Sequence, residues 1–307
     1  MNSVRTPKFV TKIKVAAIDT IKRLFVGRPY LPHVVPISFW LIFIVVAPLG
    51  IIIYFSFLTS GAYGGNILPI FTLENYRNLI QGQFMQVALR TIILALGTNA
   101  ICLVVGYAIA YFIVRFAGRR GLYLIMLIII PSWTCYLIRL YALKTLIGSA
   151  GPISNALMNL GLISSPMHIL YTPGIVLFGL VYTWLPFMVL PLYASLEGLD
   201  PSLLEASEDL GASPLKRFFT VTLPLTKGGI FAGTILVFIP ALGTWLVPLL
   251  LGGSKVMMAG NLVQLYFMMA GNIPAGCSIA AMLTAMVILT IYLIIKLGGE
   301  DALERIV

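Results

Sequence analysis

Charge is what this chain of 307 residues has least of: 10% of it is Asp, Glu, Lys or Arg, while 60% is hydrophobic. A soluble domain carries about 25% charged and 45–50% apolar residues, so this composition cannot clothe a water-exposed surface. Disorder, collagen and a secreted disulfide scaffold fall to the same numbers. Carboxylates are scarcer still. The ten of them are Asp19, Glu74, a group of five from Glu197 to Asp209, and Glu300, Asp301 and Glu304, all outside the long apolar runs. The two histidines, His33 and His168, lie at the edge of a run and in a loop. A proton-driven carrier or an intramembrane protease usually needs ionisable groups at membrane depth, which argues against both and leaves no catalytic residue to assign; a secondary carrier acting alone stays as the alternative of another class. The three cysteines (Cys102, Cys135, Cys277) stand singly in apolar stretches and read as packing residues, with no metal site. A Gly-rich phosphate loop is missing too, since Gly252-Gly253-Ser254-Lys255 lacks its spacing and its closing hydroxyl. The chain cannot hydrolyse ATP by itself.

What is present is apolar length. Six runs, near Val34–Leu58, Val87–Val114, Leu122–Ile147, Thr172–Leu196, Leu225–Leu251 and Ile273–Leu297, can each cross a bilayer as a helix of about 20 residues. None alternates as a barrel strand would, so the expected fold is an all-α membrane protein with six transmembrane helices. Fifteen Lys and Arg fall on the side of the two termini and only Arg77 and Lys255 in the opposite loops, which predicts that both termini are cytoplasmic. Seven of the basic residues precede position 29 with no interleaved aromatic face, a pattern for anionic lipid rather than nucleic acid. The expected organisation is a basic cytoplasmic extension over 1–33, a transmembrane domain over 34–297 and a cytoplasmic tail over 298–307. Phe9, Val10, Ile13, Ala17 and Ile21 allow an amphipathic helix in the extension; a flexible basic tail is the other reading.

Half of the acidic residues fall within thirteen positions of one loop, 197–224, between the fourth and fifth runs. Asp200-Pro201 is an N-cap and first-turn pair, Gly211 a C-terminal stop, and Ser213-Pro214 a second helix start. Leu223-Pro224 reads as the break that returns the chain to the membrane. Two short helices hinged at Gly211 would leave Leu203, Leu204, Ala206, Ser207 and Leu210 as a small apolar face. That face either docks into a partner's groove or is merely solvated.

Glu205-Ala206-Ser207, three residues, Gly211, nine residues, then Val221-Thr222-Leu223-Pro224 resembles the cytoplasmic signature of bacterial ABC-importer permeases. That signature is Glu-Ala-Ala, three residues, Gly, nine residues, Ile-x-Leu-Pro; the departures are Ser207 and Val221. Thr183-Trp184-Leu185-Pro186, Phe238-Ile239-Pro240-Ala241-Leu242-Gly243, Leu251–Lys255 and an outer helix near Ile153–Leu162 are similar to the spermidine/putrescine branch. The resemblance implies a multi-pass permease subunit of the bacterial inner membrane. It implies a coupling helix seated in an ATPase cleft: Gly211 permits the turn, Ala206 and Ser207 allow close approach, Glu205 makes a polar contact, and Leu223 and Pro224 close the motif. The implied partners are two ATP-binding subunits that hold ATP and Mg, a second and different permease subunit, and a periplasmic binding protein. That protein would deliver solute near Gly148–Ser165 and Lys255–Asn272. No cofactor belongs to this chain.

For the pathway, Pro240, Gly243 and Pro248 interrupt the fifth run, and Pro131, Pro186 and Pro191 do the same in the third and fourth. Interrupted helices mark transport sites or are plain packing kinks. Trp133, Tyr136, Tyr182, Trp184, Thr244 and Trp245 lie near the breaks. They either pack the core or line an aromatic path for a cation. The polyamine branch often has an acid after its equivalent of Gly243 and another further on, where this chain has Thr244 and Leu249. Arg139, in the third run, either snorkels outward or faces the path. In the second case an anionic or zwitterionic solute is favoured over a polyamine.

Overall fold

The computed structural model describes residues 31–61, 66–82 and 84–298. The amphipathic-helix reading of the basic extension and all but the first residue of the 298–307 tail lie outside the described residues. The chain divides at Tyr54/Phe55 into two compact units. In the first, α1 (Leu31–Ser56, ending just inside the second unit) carries Pro36 and Pro48 within it. Phe39, Trp40 and Phe43 stack along it, with ring centroids 6.5 Å (Phe39–Phe43) and 6.1 Å (Trp40–Phe43) apart.

The second unit opens with an antiparallel hairpin, β1 (Leu58–Ser60) and β2 (Ile67–Phe71), which an all-α expectation did not contain. Asn75 on α2 (Glu74–Gln81) ties it down, its Nδ2 donating to the carbonyls of Ser56 (3.0 Å) and Leu58 (2.8 Å). Then come α3 (Phe84–Phe116), α4 (Gly121–Ile129) and α5 (Tyr136–Ile147), followed by α6 (Pro152–Asn159), α7 (Pro173–Glu197), α8 (Pro201–Asp209) and α9 (Pro214–Leu225). Last come α10 (Lys227–Gly243), α11 (Ala259–Met268) and α12 (Ile273–Gly298).

The frame of this unit is α3, α7 and α10, packed against one another. Van der Waals packing of their side chains holds them together, and glycine sets the distance. A Cβ on Gly229 of α10 would lie 2.6 Å from Ser195 Cβ and 2.7 Å from the Pro191 carbonyl, and one on Gly233 would lie 2.5 Å from Met188 Sδ. Small residues four apart let two backbones approach this closely. Thr91, Thr98 and Thr183 each donate to the carbonyl four residues back (2.7, 2.7 and 2.8 Å), which satisfies their hydroxyls without water.

Among the described residues four helices are long and apolar enough to cross a membrane, and two bent pairs raise the number to six if each pair counts as one span. The bends are not where proline alone would put them. Pro186 and Pro191 sit inside a continuous α7, and Pro240 inside α10. The third expected run is instead bent by 93° where Thr134 and Cys135 turn extended between Gly118–Trp133 and Tyr136–Asn159. The chain turns by 65° at Thr226 rather than at Leu223-Pro224, which runs within α9 after a π turn at Phe218–Thr222. The fifth expected run stops at Gly243, where Thr244 is extended (φ −68°, ψ 138°). Pro248, which lacks an N–H, then opens the next helical segment, Pro248–Gly252.

Candidate functional site

Two places gather the residues singled out in the sequence. At the first, Asp200 accepts the Ser202 N–H (2.9 Å), starting α8 behind Pro201. That bond holds the exposed Asp200 carboxyl below the usual carboxylate range. Gly211 takes the left-handed conformation (φ 75°), and the bonds Gly211 N–H to Glu208 (2.8 Å) and Ala212 N–H to Ser207 (3.0 Å) close the helix end. Ser213 then starts α9, accepting the Lys216 N–H at 3.4 Å. Glu208 pairs with Arg217 across the hinge.

The expected apolar face is split. Leu204 and Ser207 turn inward, with Ser207 Oγ donating to the Leu204 carbonyl (2.7 Å), while Leu203, Glu205, Ala206 and Leu210 stay exposed. Glu205 lines a cavity of about 320 Å³ with Glu208, Arg217 and Arg115 of α3. How this loop is fastened emerges only in three dimensions. Tyr107 of α3 shares a buried hydrogen bond with Thr226 (2.8 Å), and Phe218 stands edge-on to Tyr107 (5.4 Å) and Tyr111 (5.9 Å). Thr226 is the bend between α9 and α10, so α3 grips the joint at which the loop meets the membrane helices.

The second place is the interruption after α10. Tyr136 Oη lies 3.3 Å from Thr244 Oγ1. Asn261, buried on α11, donates through Nδ2 to the Trp245 carbonyl (2.7 Å) and accepts the Met258 N–H (3.1 Å). Gly260 sits directly on the interruption: a Cβ there would come within 2.5 Å of the Thr244 carbonyl oxygen and 2.8 Å of that of Gly243. Thr91 of α3 accepts the Ala259 N–H (2.9 Å) and fixes the start of α11. Gly243, Trp245, Gly260, Gln264, Phe267 and Thr284 help to line an apolar cavity of about 690 Å³ between α10, α11 and α12.

Arg139 is held by its own elbow, Nη1 donating to the Pro131 carbonyl (3.0 Å), with the guanidinium 5.6 Å from the Tyr182 ring centroid. Trp184 packs where three apolar clusters meet, and its buried indole N–H has no partner among the described residues. Trp133 is 82% exposed at the elbow, and among the described residues no hydrogen bond or ring pair joins it or Pro240 to the others. The structure therefore joins Tyr136 to Thr244 and Arg139 to Tyr182, and puts Gly243 and Trp245 on one cavity. Gly260, Asn261 and Gln264 were missed by the sequence reading; Asn261 in the first turn of α11 was the one local signal.

No family model matches the chain. In fold it resembles a chain in the crystal structure of a bacterial ABC transporter that imports the acidic polysaccharide alginate. The TM-score is 0.71 at 14% identity, over 92% of this chain and 98% of that one. A second alginate transporter structure, in complex with an alginate pentasaccharide-bound periplasmic protein, gives 0.72 at 13% identity over 92% and 97%. The fold is that of an ABC-transporter permease. By sequence the chain is 41% identical over 253 residues to the spermidine/putrescine transport system permease protein PotB of Haemophilus influenzae (82% of this chain, 88% of the relative). It is 41% identical over 251 residues to PotB of Escherichia coli (82% and 91%), and 32% identical over 260 residues to the inner membrane ABC transporter permease protein YdcU of Escherichia coli (81% and 83%). The chain belongs to the family of spermidine/putrescine transport system permease proteins, whose members are transport permeases rather than enzymes.

Proposed function

We propose that this chain is the membrane permease subunit of a binding-protein-dependent importer of a polyamine of the putrescine or spermidine type. The observation that carries the substrate class is the 41% identity to two PotB proteins over 82% of the chain. The alternative is the same importer class for an anionic or zwitterionic solute, which the Arg139 guanidinium beside the Tyr182 ring would favour if it faces the path.

In this reading each bent helix pair is one span, making six, and the basic residues put both termini in the cytoplasm of a bacterial inner membrane. The 197–224 loop is then cytoplasmic, and α8 docks into an ATPase that holds ATP and Mg. The exposed Leu203, Ala206 and Leu210 would meet the partner, while Leu204 and Ser207 anchor the helix to its own chain. Two such ATPases, a second and different permease subunit completing the pathway, and a periplasmic binding protein complete the importer.

ATP hydrolysis by the assembled complex in nanodiscs, with its binding protein, tests the substrate. Stimulation by putrescine or spermidine is expected, and stimulation by acidic or zwitterionic solutes alone would overturn the polyamine assignment. Glu205→Lys and Gly211→Pro test the loop. Each should release or uncouple the ATPases while the helices remain inserted; full uptake in both variants would sink the coupling role.

A further inference from the structure

The cavity where the end of α3 meets the α8–α9 loop holds charges that the exposed docking face of α8 does not use. Its volume of about 320 Å³ is that of a small-ligand site. Two cations, Arg115 of α3 and Arg217 of α9, line it together with two carboxylates of α8, Glu205 and Glu208. Glu208 and Arg217 neutralise each other in the single ion pair among the described residues. That leaves one cation, Arg115, and one anion, Glu205, outside any pair. Arg115 Nη2 is buried and has no hydrogen-bond partner among the described residues. A buried donor on a charged group is costly without an acceptor, and the chain itself supplies none here.

The position of the cavity decides the class of ligand. Arg115 lies in the last turn of α3, a helix long and apolar enough to cross a membrane, so the cavity sits where a span ends. Phe116 forms part of its wall. That ring is 71% exposed and stacks on Phe112, 56% exposed, with centroids 5.7 Å apart. The pair makes an outward apolar strip leading from the cavity back along the span. A molecule with a polar head at Arg115 and an apolar body in the bilayer meets both surfaces, whereas a soluble anion meets only one. The head must also carry both signs. A purely anionic head would satisfy Arg115 but oppose Glu205, while a zwitterion brings a cationic N–H to the carboxylate as well.

We infer that this cavity seats the phosphoethanolamine head of a membrane phospholipid. The phosphate accepts from the Arg115 guanidinium, the ammonium donates to Glu205, and the acyl chains lie along Phe116 and Phe112. Because the head bridges Arg115 of α3 and Glu205 of α8, the lipid fastens the loop to the end of the span. The inference rests on α3 crossing a membrane and is independent of the solute that the importer carries.

The test is native mass spectrometry of the detergent-solubilised permease–ATPase complex, titrated with phospholipids of identical acyl chains. Phosphatidylethanolamine should bind about tenfold more tightly than phosphatidylcholine, whose trimethylated nitrogen cannot donate a hydrogen bond. It should exceed phosphatidylglycerol, which has no cation for Glu205, by a similar factor. Arg115→Gln should weaken phosphatidylethanolamine about tenfold, and Glu205→Gln should erase its advantage over phosphatidylcholine. The ratio is read on every species that contains the permease, so a Glu205→Gln complex that sheds its ATPases still reports it. Equal binding of the three lipids, or undiminished phosphatidylethanolamine binding in Arg115→Gln, overturns the site. Displacement of the lipid by an equal concentration of O-phosphoethanolamine, the head without its chains, would assign the cavity to a soluble ligand. The same spectra count ATPase subunits. Loss of ATPases in Arg115→Gln with lipid binding intact would give the cavity to the protein partner and overturn the lipid. A complex that keeps the lipid preference but imports no putrescine or spermidine supports the site and overturns only the polyamine reading.

Discussion

The α8–α9 loop and the interruption after α10 are both places where a helix is forced to stop, yet they are built by opposite means. The loop is written locally. Asp200, Gly211 and Ser213 each act within three or four residues of themselves, and the bonds they make are the ones their spacing predicts. The interruption is held from a distance: Tyr136 reaches it from α5, Asn261 and Gly260 from α11, and Thr91 of α3 fixes the start of α11 in turn. A locally written turn survives rearrangement of its neighbours and can move as a unit. A turn held by several elements keeps its shape only while they keep theirs. In the proposed importer the first kind of turn suits a loop that moves with a partner, and the second suits a part that keeps its shape.

The largest expected effect comes from removing the frame that both regions share. Gly229→Val drives a branched side chain into Ser195 and the Pro191 carbonyl, where even a Cβ comes within 2.6 and 2.7 Å. Overpacking of this kind costs about 3 kcal/mol or more when the neighbour is backbone. Thermal unfolding in detergent should show a large fall in Tm or no folded protein. Gly243→Ala is the matched control: nothing lies within 4 Å of its Cβ, so stability should change by less than about 0.5 kcal/mol.

Next in size is Asn261→Leu, which acts on the distant kind of turn alone. It leaves the buried Met258 N–H without its acceptor and takes one of two donors from the Trp245 carbonyl. Stranding a buried donor costs about 2 kcal/mol. Hydrogen exchange should quicken at 244–249 and stay unchanged at 200–224. Faster exchange in both regions would mean that they are one cooperative unit and would erase the contrast.

This difference also decides what could be read from the sequence. Cap and stop residues named the loop's turns because a cap needs only its near neighbours. The span pattern, the scarcity of charge and the family motif were likewise visible in one dimension. Proline was a partial guide to the breaks: Pro186, Pro191 and Pro240 are absorbed inside helices, while the fifth run stops at Gly243 and resumes at Pro248. The hairpin at Leu58–Phe71 escaped notice because its first strand is only the three residues Leu58–Ser60, too short to show an alternating pattern. Asn261, Gly260 and the Tyr107–Thr226 bond join residues 15 or more positions apart, and no spacing rule reports such pairs. The bond from Arg139 to the Pro131 carbonyl is equally invisible in the sequence, because it exists only once the elbow is bent.

Gly211→Ala tests the local turn at about 1 kcal/mol, the cost of placing a Cβ at a positive φ. At Gly211 φ is 75° and nothing lies within 4 Å of the added carbon, so the penalty is conformational alone. Exchange should quicken between 201 and 224 and remain unchanged at 244–249, the mirror image of Asn261→Leu. Gly211→Asn should fall between the two alleles, because Asn tolerates the left-handed region better than Ala.

The smallest effect is the most diagnostic of local control, because pH can switch it. Asp200 caps α8 by accepting the Ser202 N–H, and that bond favours the charged carboxylate and lowers its pKa. A group whose pKa is depressed in the folded chain adds stability above its ordinary value of about 4, and that stability is lost as the pH falls through the depressed value. Asp200→Ala should therefore quicken exchange at the start of α8 near neutral pH. After correction for intrinsic exchange rates, the mutant and wild type should converge in acid, once the wild-type carboxyl is protonated. Asp200→Asn keeps an acceptor oxygen without the titration, so its first turn should stay protected and lose the pH dependence. A difference between Asp200→Ala and wild type that persists undiminished in acid would show that the first turn of α8 is held by packing against the body of the chain. The loop would then be closer in kind to the interruption after α10 than its sequence suggests.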